Sequence, residues 1–193
     1  GIVATELGKA LADRGHQVHF ISADLPFRLT EFHPGLSFHR VQTPSYPLFP
    51  EPQYVLSLTN RVVQVAREFD LEIVHAHYAV PHATVALLAQ QVLASSAGAS
   101  GSSTGGNPPK VVTTLHGTDI TLVGSDASYS EIVAYSIEQS NGVTAVSQSL
   151  ADATRAQLGV RRTIEVVPNF IDCDLYRRRH EGRLRARFAG TDG

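Results

Sequence analysis

Methionine and tryptophan are absent from the 193-residue sequence, and cysteine occurs once, as Cys173. A single cysteine excludes a disulfide bond within the chain and is typical of a reducing compartment, so we expect a free structural thiol in a cytoplasmic protein. The sequence begins with Gly1 instead of methionine. We therefore interpret it as an internal piece of a longer protein and expect functional residues to lie outside it.

Long apolar runs are also absent. None approaches the roughly 20 residues of a membrane-spanning helix, and no signal peptide is recognisable, so we expect no membrane span. A net charge of −2 with 42% hydrophobic residues gives no sign of nucleic-acid binding. The arginine-rich tail, residues 175–193, is the one basic stretch, and we interpret it as a solvated surface.

Hydrophobic periodicity divides the chain into alternating helices and strands. A helical period predicts helices over residues 1–14, 53–69 and about 81–93, and further helices that begin near residues 125 and 149. Strands are predicted over residues 17–22, 36–41, 71–76, 111–114, 142–146 and 164–167. This order predicts an α/β fold: a Rossmann-like, mostly parallel sheet with helices on both faces, whose first strand is missing because helix 1–14 has none before it.

Two segments lack periodicity. Residues 43–52 contain four prolines and are expected to form an extended loop. Residues 95–109 are rich in glycine and serine, which favours a flexible coil. Because this coil lies between a helix and a strand, we interpret it as a surface loop within one domain of residues 1–174 instead of a linker.

Polar residues follow two of the predicted strands. His116, Gly117, Thr118 and Asp119 come after one strand, and the segment 75–78, His-Ala-His-Tyr, closes another. Ligands of parallel α/β sheets bind outside the carboxyl ends of the strands, so both groups are expected to line one cleft. The alternative for His116 is a structural histidine that is satisfied by neighbouring backbone groups.

Other chemistries have weaker support. His75, His77 and His82 suggest a metal site, but neither a cysteine nor a suitably spaced acidic residue completes the ligand set. Asp119 and Glu138 would be a carboxylate pair for sugar hydrolysis only if the fold brought them together. No nucleophile elbow or P-loop is present.

Seven motifs resemble one enzyme family. They are GxVxTELGKxLAxRGHxVHFI at 1–21, LPFR at 25–28, HxHYAxPHA at 75–83, VVTTLHGTDIT at 111–121, GSD at 124–126, IEQSxxVTAVSxSL at 137–150 and PNFID at 168–172. Together they resemble the N-acetylglucosaminyl L-malate synthases of bacillithiol biosynthesis, which are retaining glycosyltransferases of the two-domain GT-B type. HYAxPHA and TTLHGTDIT are the selective motifs.

The resemblance implies a reaction and a set of site residues. N-acetylglucosamine would pass from UDP-N-acetylglucosamine to the hydroxyl of L-malate with retention, without a metal or other cofactor. His116 would be the catalytic residue at the donor sugar. Tyr78 and Thr114 would hydrogen-bond malate, and Gly1 would be the last glycine of a loop near malate and phosphate.

The resemblance also implies what lies outside the chain. Residues 1–174 would be the acceptor-binding, N-terminal half of a GT-B fold, and residues 175–193 would lead to an absent nucleotide-sugar domain. The chain alone is therefore expected to be inactive. A different sugar or lipid acceptor and a non-catalytic hydroxy-acid-binding domain are the alternatives, and a homo-oligomer is left open.

Overall fold

Helices and strands alternate throughout the residues that the structure, a computed structural model, describes: 1–30, 32–45, 48, 53–99, 107–174 and 176–177. The helices are α1 (Ile2–Ala12), α2 (Tyr54–Phe69), α3 (Thr84–Ala99), α4 (Ser130–Gln139) and α5 (Gln148–Leu158). The strands are β1 (Val18–Ser22), β2 (Leu36–Arg40), β3 (Ile73–His77), β4 (Lys110–Leu115), β5 (Gly142–Ala145) and β6 (Glu165–Val166).

Every pair of neighbouring strands is parallel. β1 pairs with β2, and β3, β4, β5 and β6 follow one another in a second sheet. The predicted parallel α/β fold is confirmed, although the described strands form two hydrogen-bonded sheets instead of one. Ile21 of β1 and Val74 of β3 nevertheless pack against the same apolar cluster, so α2 and α3 hold the two sheets side by side.

Alternate side chains of the four-stranded sheet have different surroundings. One face carries apolar residues that pack against the helices α2–α5, among them Val74, Val111, Leu115, Val143 and Ala145. Side chains alternate along a strand, so His75, Thr114 and Thr144 lie on the other face. On that face Ile73 keeps 58% of its surface exposed, which is unusual for a parallel strand.

β1 lies between helices on both faces. Its Ile21 and His19 face α2, where His19 contacts the ring of Phe69. Phe20 points the opposite way, towards α1, and its ring lies so close to Gly8 that a Cβ there would be 2.3 Å from it. The absence of a side chain at Gly8 therefore lets α1 approach the strand.

Three predicted helix starts need correction. The first is α4, which begins at Ser130 and not near residue 125, because the Asp126 carboxylate accepts hydrogen bonds from the backbone N–H and hydroxyl of Ser128 and closes a local turn. The second is α5, whose cap is Ser147, not Ser149: its hydroxyl accepts the N–H of Leu150 at 3.2 Å.

The third is α3, since Pro81 lies in a separate wide turn, Ala79–Ala83, and α3 begins only at Thr84. It then continues to Ala99, so the first five residues of the predicted loop 95–109 are helical. Residues 100–106 of that loop lie outside the described residues, as do parts of the loop 43–52 and most of the tail 175–193.

Among the described helices, none is long and apolar enough to cross a membrane.

Candidate functional site

The carboxyl ends of β3 and β4 bring the two polar motifs together. His77, the last residue of β3, is registered against Thr114, and β4 ends one residue later at Leu115, so Tyr78 and His116, the first residues after the two strands, leave the same edge of the sheet. Their ring centroids are 4.8 Å apart. The expected meeting of the two motifs is therefore observed, while the binding roles of their residues stay predictions.

Two unusual backbone conformations shape this edge. Tyr78 has φ = 80°, a value that side chains with a Cβ rarely adopt, while its N–H donates to the carbonyl of Thr114 at 2.9 Å. Gly117 has φ = 121°, which glycine tolerates at little cost. The strained Tyr78 turn leaves its side chain 37% exposed at the site.

A histidine cluster lies beneath Tyr78. The Nδ1 of His77 and the Nε2 of His116 are 2.9 Å apart and share one hydrogen bond. The ring of His77 also stacks on His75, with centroids 4.6 Å apart. Burial, together with the neighbouring imidazoles, lowers the pKa of His77 to about 3, so this ring is neutral at physiological pH.

His116 is less enclosed than His77. Burial lowers the pKa of His116 below the usual histidine range, and the carboxylate of Asp119 opposes this shift. The imidazole is half-buried and precedes the turn at Gly117. A neutral ring at this position offers one hydrogen-bond donor and one acceptor.

Asp119 joins the two strand ends. Its side chain is buried, with 2% exposed. One carboxylate oxygen accepts the backbone N–H groups of Gly117 at 2.9 Å and His116 at 3.2 Å. The other accepts the N–H of Ala79, the residue after Tyr78, at 3.3 Å. Asp119 thus fixes the backbone on both sides of the site.

The predicted residue Gly1 lies within electrostatic range of this cluster. Its backbone nitrogen lies close enough to His77, His82 and His116 for electrostatic contact with all three rings. Gly1 caps α1, whose first turn contains no acidic residue. The N–H groups of that turn therefore point towards the same edge as Tyr78 and His116 with no carboxylate of their own turn to occupy them.

Thr114, the remaining predicted residue, is already engaged. Its hydroxyl lies 2.7 Å from the Nε2 of His75 and 2.7 Å from the hydroxyl of Thr144, and 8% of the residue is exposed. A threonine hydroxyl has one donor and two acceptor positions, so one position stays open for a ligand. Thr114 contacts His75 of the histidine cluster, whereas Tyr78 contacts His82 and His116.

The alternative sites are not assembled. Within the described part of the chain, no group of three His, Cys, Asp or Glu side chains has the geometry to hold a metal ion. The Nδ1 of His82 instead donates to the carbonyl of His77 at 2.7 Å. Glu138 accepts the backbone N–H of Arg161 beside a cavity of about 540 Å³ at the amino ends of β5 and β6. Glu138 and Asp119 therefore lie at opposite ends of the sheet and form no carboxylate pair.

Sequence reasoning missed the backbone hydrogen bonds of Asp119 and the contact between His77 and His116. An aspartate two residues after a glycine turn is a signal for a side chain that accepts backbone N–H groups, and it was present in the sequence. The pairing of His77 with His116, which are 39 positions apart, had no local signal.

Comparison with known proteins agrees with this geometry. A family model described as Glycosyltransferase Family 4 matches residues 1–175. N-acetyl-alpha-D-glucosaminyl L-malate synthase of Bacillus anthracis is 44% identical over 188 residues, which are 97% of this chain and 46% of that protein. The resemblance found in the sequence motifs is therefore confirmed.

A solved structure supports the fold. Sucrose-phosphate synthase from Thermosynechococcus elongatus matches with a TM-score of 0.61 and 14% identity, over 95% of this chain and 46% of that chain. The chain thus spans about half the length of the proteins it matches. Because the family model covers nearly all of its residues, the chain belongs to glycosyltransferase family 4.

Proposed function

We propose that this chain is the acceptor-binding part of a retaining glycosyltransferase that joins N-acetylglucosamine, from UDP-N-acetylglucosamine, to the hydroxyl of L-malate. The observation that carries the proposal is the convergence of Tyr78, His116 and the start of α1 at one sheet edge. The chain is also 44% identical to an N-acetyl-alpha-D-glucosaminyl L-malate synthase. The reaction is the first step of bacillithiol biosynthesis.

The acceptor side of the site suits a small dicarboxylic acid. The first turn of α1 offers N–H groups and the positive end of a helix dipole, which favour a carboxylate. The hydroxyl of Tyr78 is available beside it, and Thr114 retains one hydrogen-bonding position. Malate needs such convergent groups for its two carboxylates and its hydroxyl.

The donor side requires groups that tolerate developing positive charge. As the bond from the anomeric carbon to the UDP oxygen breaks, the sugar acquires oxocarbenium character. The malate hydroxyl oxygen then bonds to that carbon, and its proton passes to the departing diphosphate. A neutral His116 would hold the sugar through a hydrogen bond without repelling this charge.

The rest of the assignment follows from this reaction. Residues 1–174 are the acceptor-binding domain, and residues 175–193 lead towards the part that holds the nucleotide sugar. The site requires no metal or other cofactor, and the substrates are its partners. One exposed free cysteine, Cys173, fits a cytoplasmic location. A homo-oligomer stays a prediction.

The test uses the longer protein encoded by the reading frame around this chain. Purified protein is mixed with UDP-N-acetylglucosamine and L-malate, and both UDP and the glycosylated acid are measured. Product with malate, and far less with sugars or with D-malate, is the expected result. Turnover only with a sugar or lipid acceptor would replace malate in the proposal, whereas tight malate binding without turnover would indicate a non-catalytic binding protein.

The 193-residue chain is the matched control. It contains the proposed acceptor groups and spans 46% of the related synthase. We expect it to release no UDP at an enzymatic rate. Turnover by the chain alone would show that the donor site also lies within it.

A further inference from the structure

The proposed function leaves His77 without a role, although it is the most strongly perturbed histidine of the cluster. It is the last residue of β3, and its Nδ1 lies 2.9 Å from the Nε2 of His116. The two rings stack with centroids 5.2 Å apart. The proposed reaction gives a role to His116 only, so it does not explain why His77 contacts that ring.

The contact restricts the hydrogen positions of both rings. A neutral imidazole carries one N–H, and two facing nitrogen atoms form a hydrogen bond only if one of them carries a hydrogen and the other does not. Once His77 has a defined hydrogen position at Nδ1, the Nε2 of His116 takes the opposite state. The Nδ1 of His116 is then fixed as well, as either a donor or an acceptor.

His77 is built to be such a fixed partner. It belongs to a strand, its carbonyl accepts the Nδ1–H of His82 at 2.7 Å, and its ring is stacked between His75 and His116. The two stacking contacts hold the ring, and the hydrogen bond from His82 holds the backbone of the strand end. With a pKa of about 3 it also stays neutral over the working range of an enzyme, so it does not exchange roles by gaining a proton.

We infer that His77 is a positioning residue that holds His116 in a single neutral tautomer, so that the remaining nitrogen of His116 presents one hydrogen-bonding role to the sugar. The contact between His77 and His116 is seen in the structure, whereas its consequence for the sugar rests on the proposed function. Tautomer control through a second hydrogen-bonding group is a general property of functional histidines.

The first test measures the tautomer directly. In protein labelled with ¹⁵N at the histidine rings, His116 is assigned by the signals lost in His116→Gln. We expect its two ring nitrogens to show the separate shifts of one tautomer, and we expect His77→Leu to bring them towards the averaged shifts of a mixture. Unchanged, separate shifts in His77→Leu would overturn the inference.

Two further variants make the measurement specific. His77→Asn places an amide where Nδ1 was, so it retains a hydrogen-bonding group for His116 and should restore separate shifts. His39→Leu removes a member of the other histidine pair, between β1 and β2, and should leave the signals of His116 in place. Equal effects of His77→Leu and His39→Leu would indicate a general loss of structure and would contradict a positioning role.

The second test measures turnover in the longer protein. Loss of an outer partner that orients a metal-bound histidine costs about 10- to 100-fold, and we expect a loss of this size in kcat for His77→Leu. KM for malate should change little, and His77→Asn should recover most of the activity. An increase in KM for malate with an unchanged kcat would contradict the inference. If no malate turnover is found at all, the proposed function fails while the tautomer measurement still decides the role of His77.

Discussion

Two histidine pairs in this molecule have almost the same geometry and different surroundings. His19 and His39 approach to 2.8 Å between ring nitrogens, and His77 and His116 to 2.9 Å. In both pairs burial lowers the pKa of the histidines. The chemistry of the contact therefore does not distinguish a structural pair from a pair at a site.

The first pair, called the closed pair below, packs against side chains of α2. The ring of Phe69 covers both imidazoles, with centroids 4.3 and 5.5 Å away. Arg61 lies 3.4 Å from the Nδ1 of His39, and because a guanidinium only donates, that nitrogen must accept. His39 then donates from Nε2 to the Nδ1 of His19. The hydrogen positions of this pair are fully determined by the core.

The second pair is open on one side. His77 ends β3 and His116 follows β4, where the backbone turns at Tyr78 and Gly117 and leaves the edge accessible. Asp119 fixes the backbone there without covering the rings. The comparison teaches that position relative to the strand end, and not the histidine contact itself, makes an imidazole available to a substrate.

The largest expected difference between the pairs is in turnover. His116→Ala in the longer protein should lower kcat about 100-fold, because a hydrogen bond to the reacting sugar is lost, with malate affinity much less affected. His39→Ala should lower the temperature of unfolding while the folded protein keeps its kcat. Steady-state kinetics and thermal unfolding of both variants check this. Near-normal turnover of His116→Ala would remove His116 from the site.

The next effect concerns the backbone that holds the open pair in place. Asp119→Ala leaves the N–H groups of Ala79, His116 and Gly117 without their acceptor, which should reduce the free energy of unfolding by about 2–4 kcal/mol. Urea unfolding measures it. Asp152→Ala, on the exposed surface of α5, serves as the control and should have a much smaller effect. Equal reductions in the free energy of unfolding would mean that the hydrogen bonds of Asp119 do not hold this part of the backbone.

A smaller effect is expected on acceptor recognition. Tyr78→Phe removes one hydroxyl next to the open pair, and the loss of its hydrogen bond to bound malate should weaken binding by about 1–3 kcal/mol. Isothermal titration with malate measures it. Tyr129→Phe, at an exposed position with 49% of the residue accessible, should bind malate normally. Unchanged affinity in Tyr78→Phe would exclude Tyr78 from the acceptor site.

The smallest effect is on pH dependence, and it tests the closed pair. The folded-state pKa values of His19 and His39 are lowered, so the unfolded chain takes up protons first as the pH falls below about 6.5. The stability that these two histidines contribute is therefore present above about pH 6.5 and is lost as the pH falls below it. His39→Gln should flatten this loss, measured by urea unfolding between pH 7.5 and 5.5. An unchanged slope would show that the closed pair does not titrate on unfolding.

Local patterns were sufficient to predict most of the elements. The strand 17–22 begins at Val18, and the helix 53–69 begins at Tyr54, because burial on one side imposes a period on the sequence. The cap of α5 was misplaced by two residues because Ser147 and Ser149 offer the same hydroxyl, and only the extended backbone of Ser147 selects it. The start of α4 failed because Asp126 suits both a helix start and a tight turn.

The site was predictable only in part, for a related reason. The motifs that contain Tyr78 and His116 were identified because they lie at the ends of predicted strands, and the carboxyl ends of parallel strands meet; the roles of the two residues came from the family resemblance. Thr114 was assigned to the acceptor, but its hydroxyl also bonds His75 and Thr144 across two neighbouring strands. Those bonds depend on strand register, which no local pattern contains.

The sequence by itself determined the order of helices and strands and the placement of polar residues at two strand ends. Only the tertiary structure decided which histidines face each other, that Arg61 and Phe69 enclose one pair, and that the other remains open beside Gly1. The physical reason is distance along the chain: His77 and His116, like Arg61 and His39, are brought together by sheet register and helix packing, which act between residues far apart in sequence.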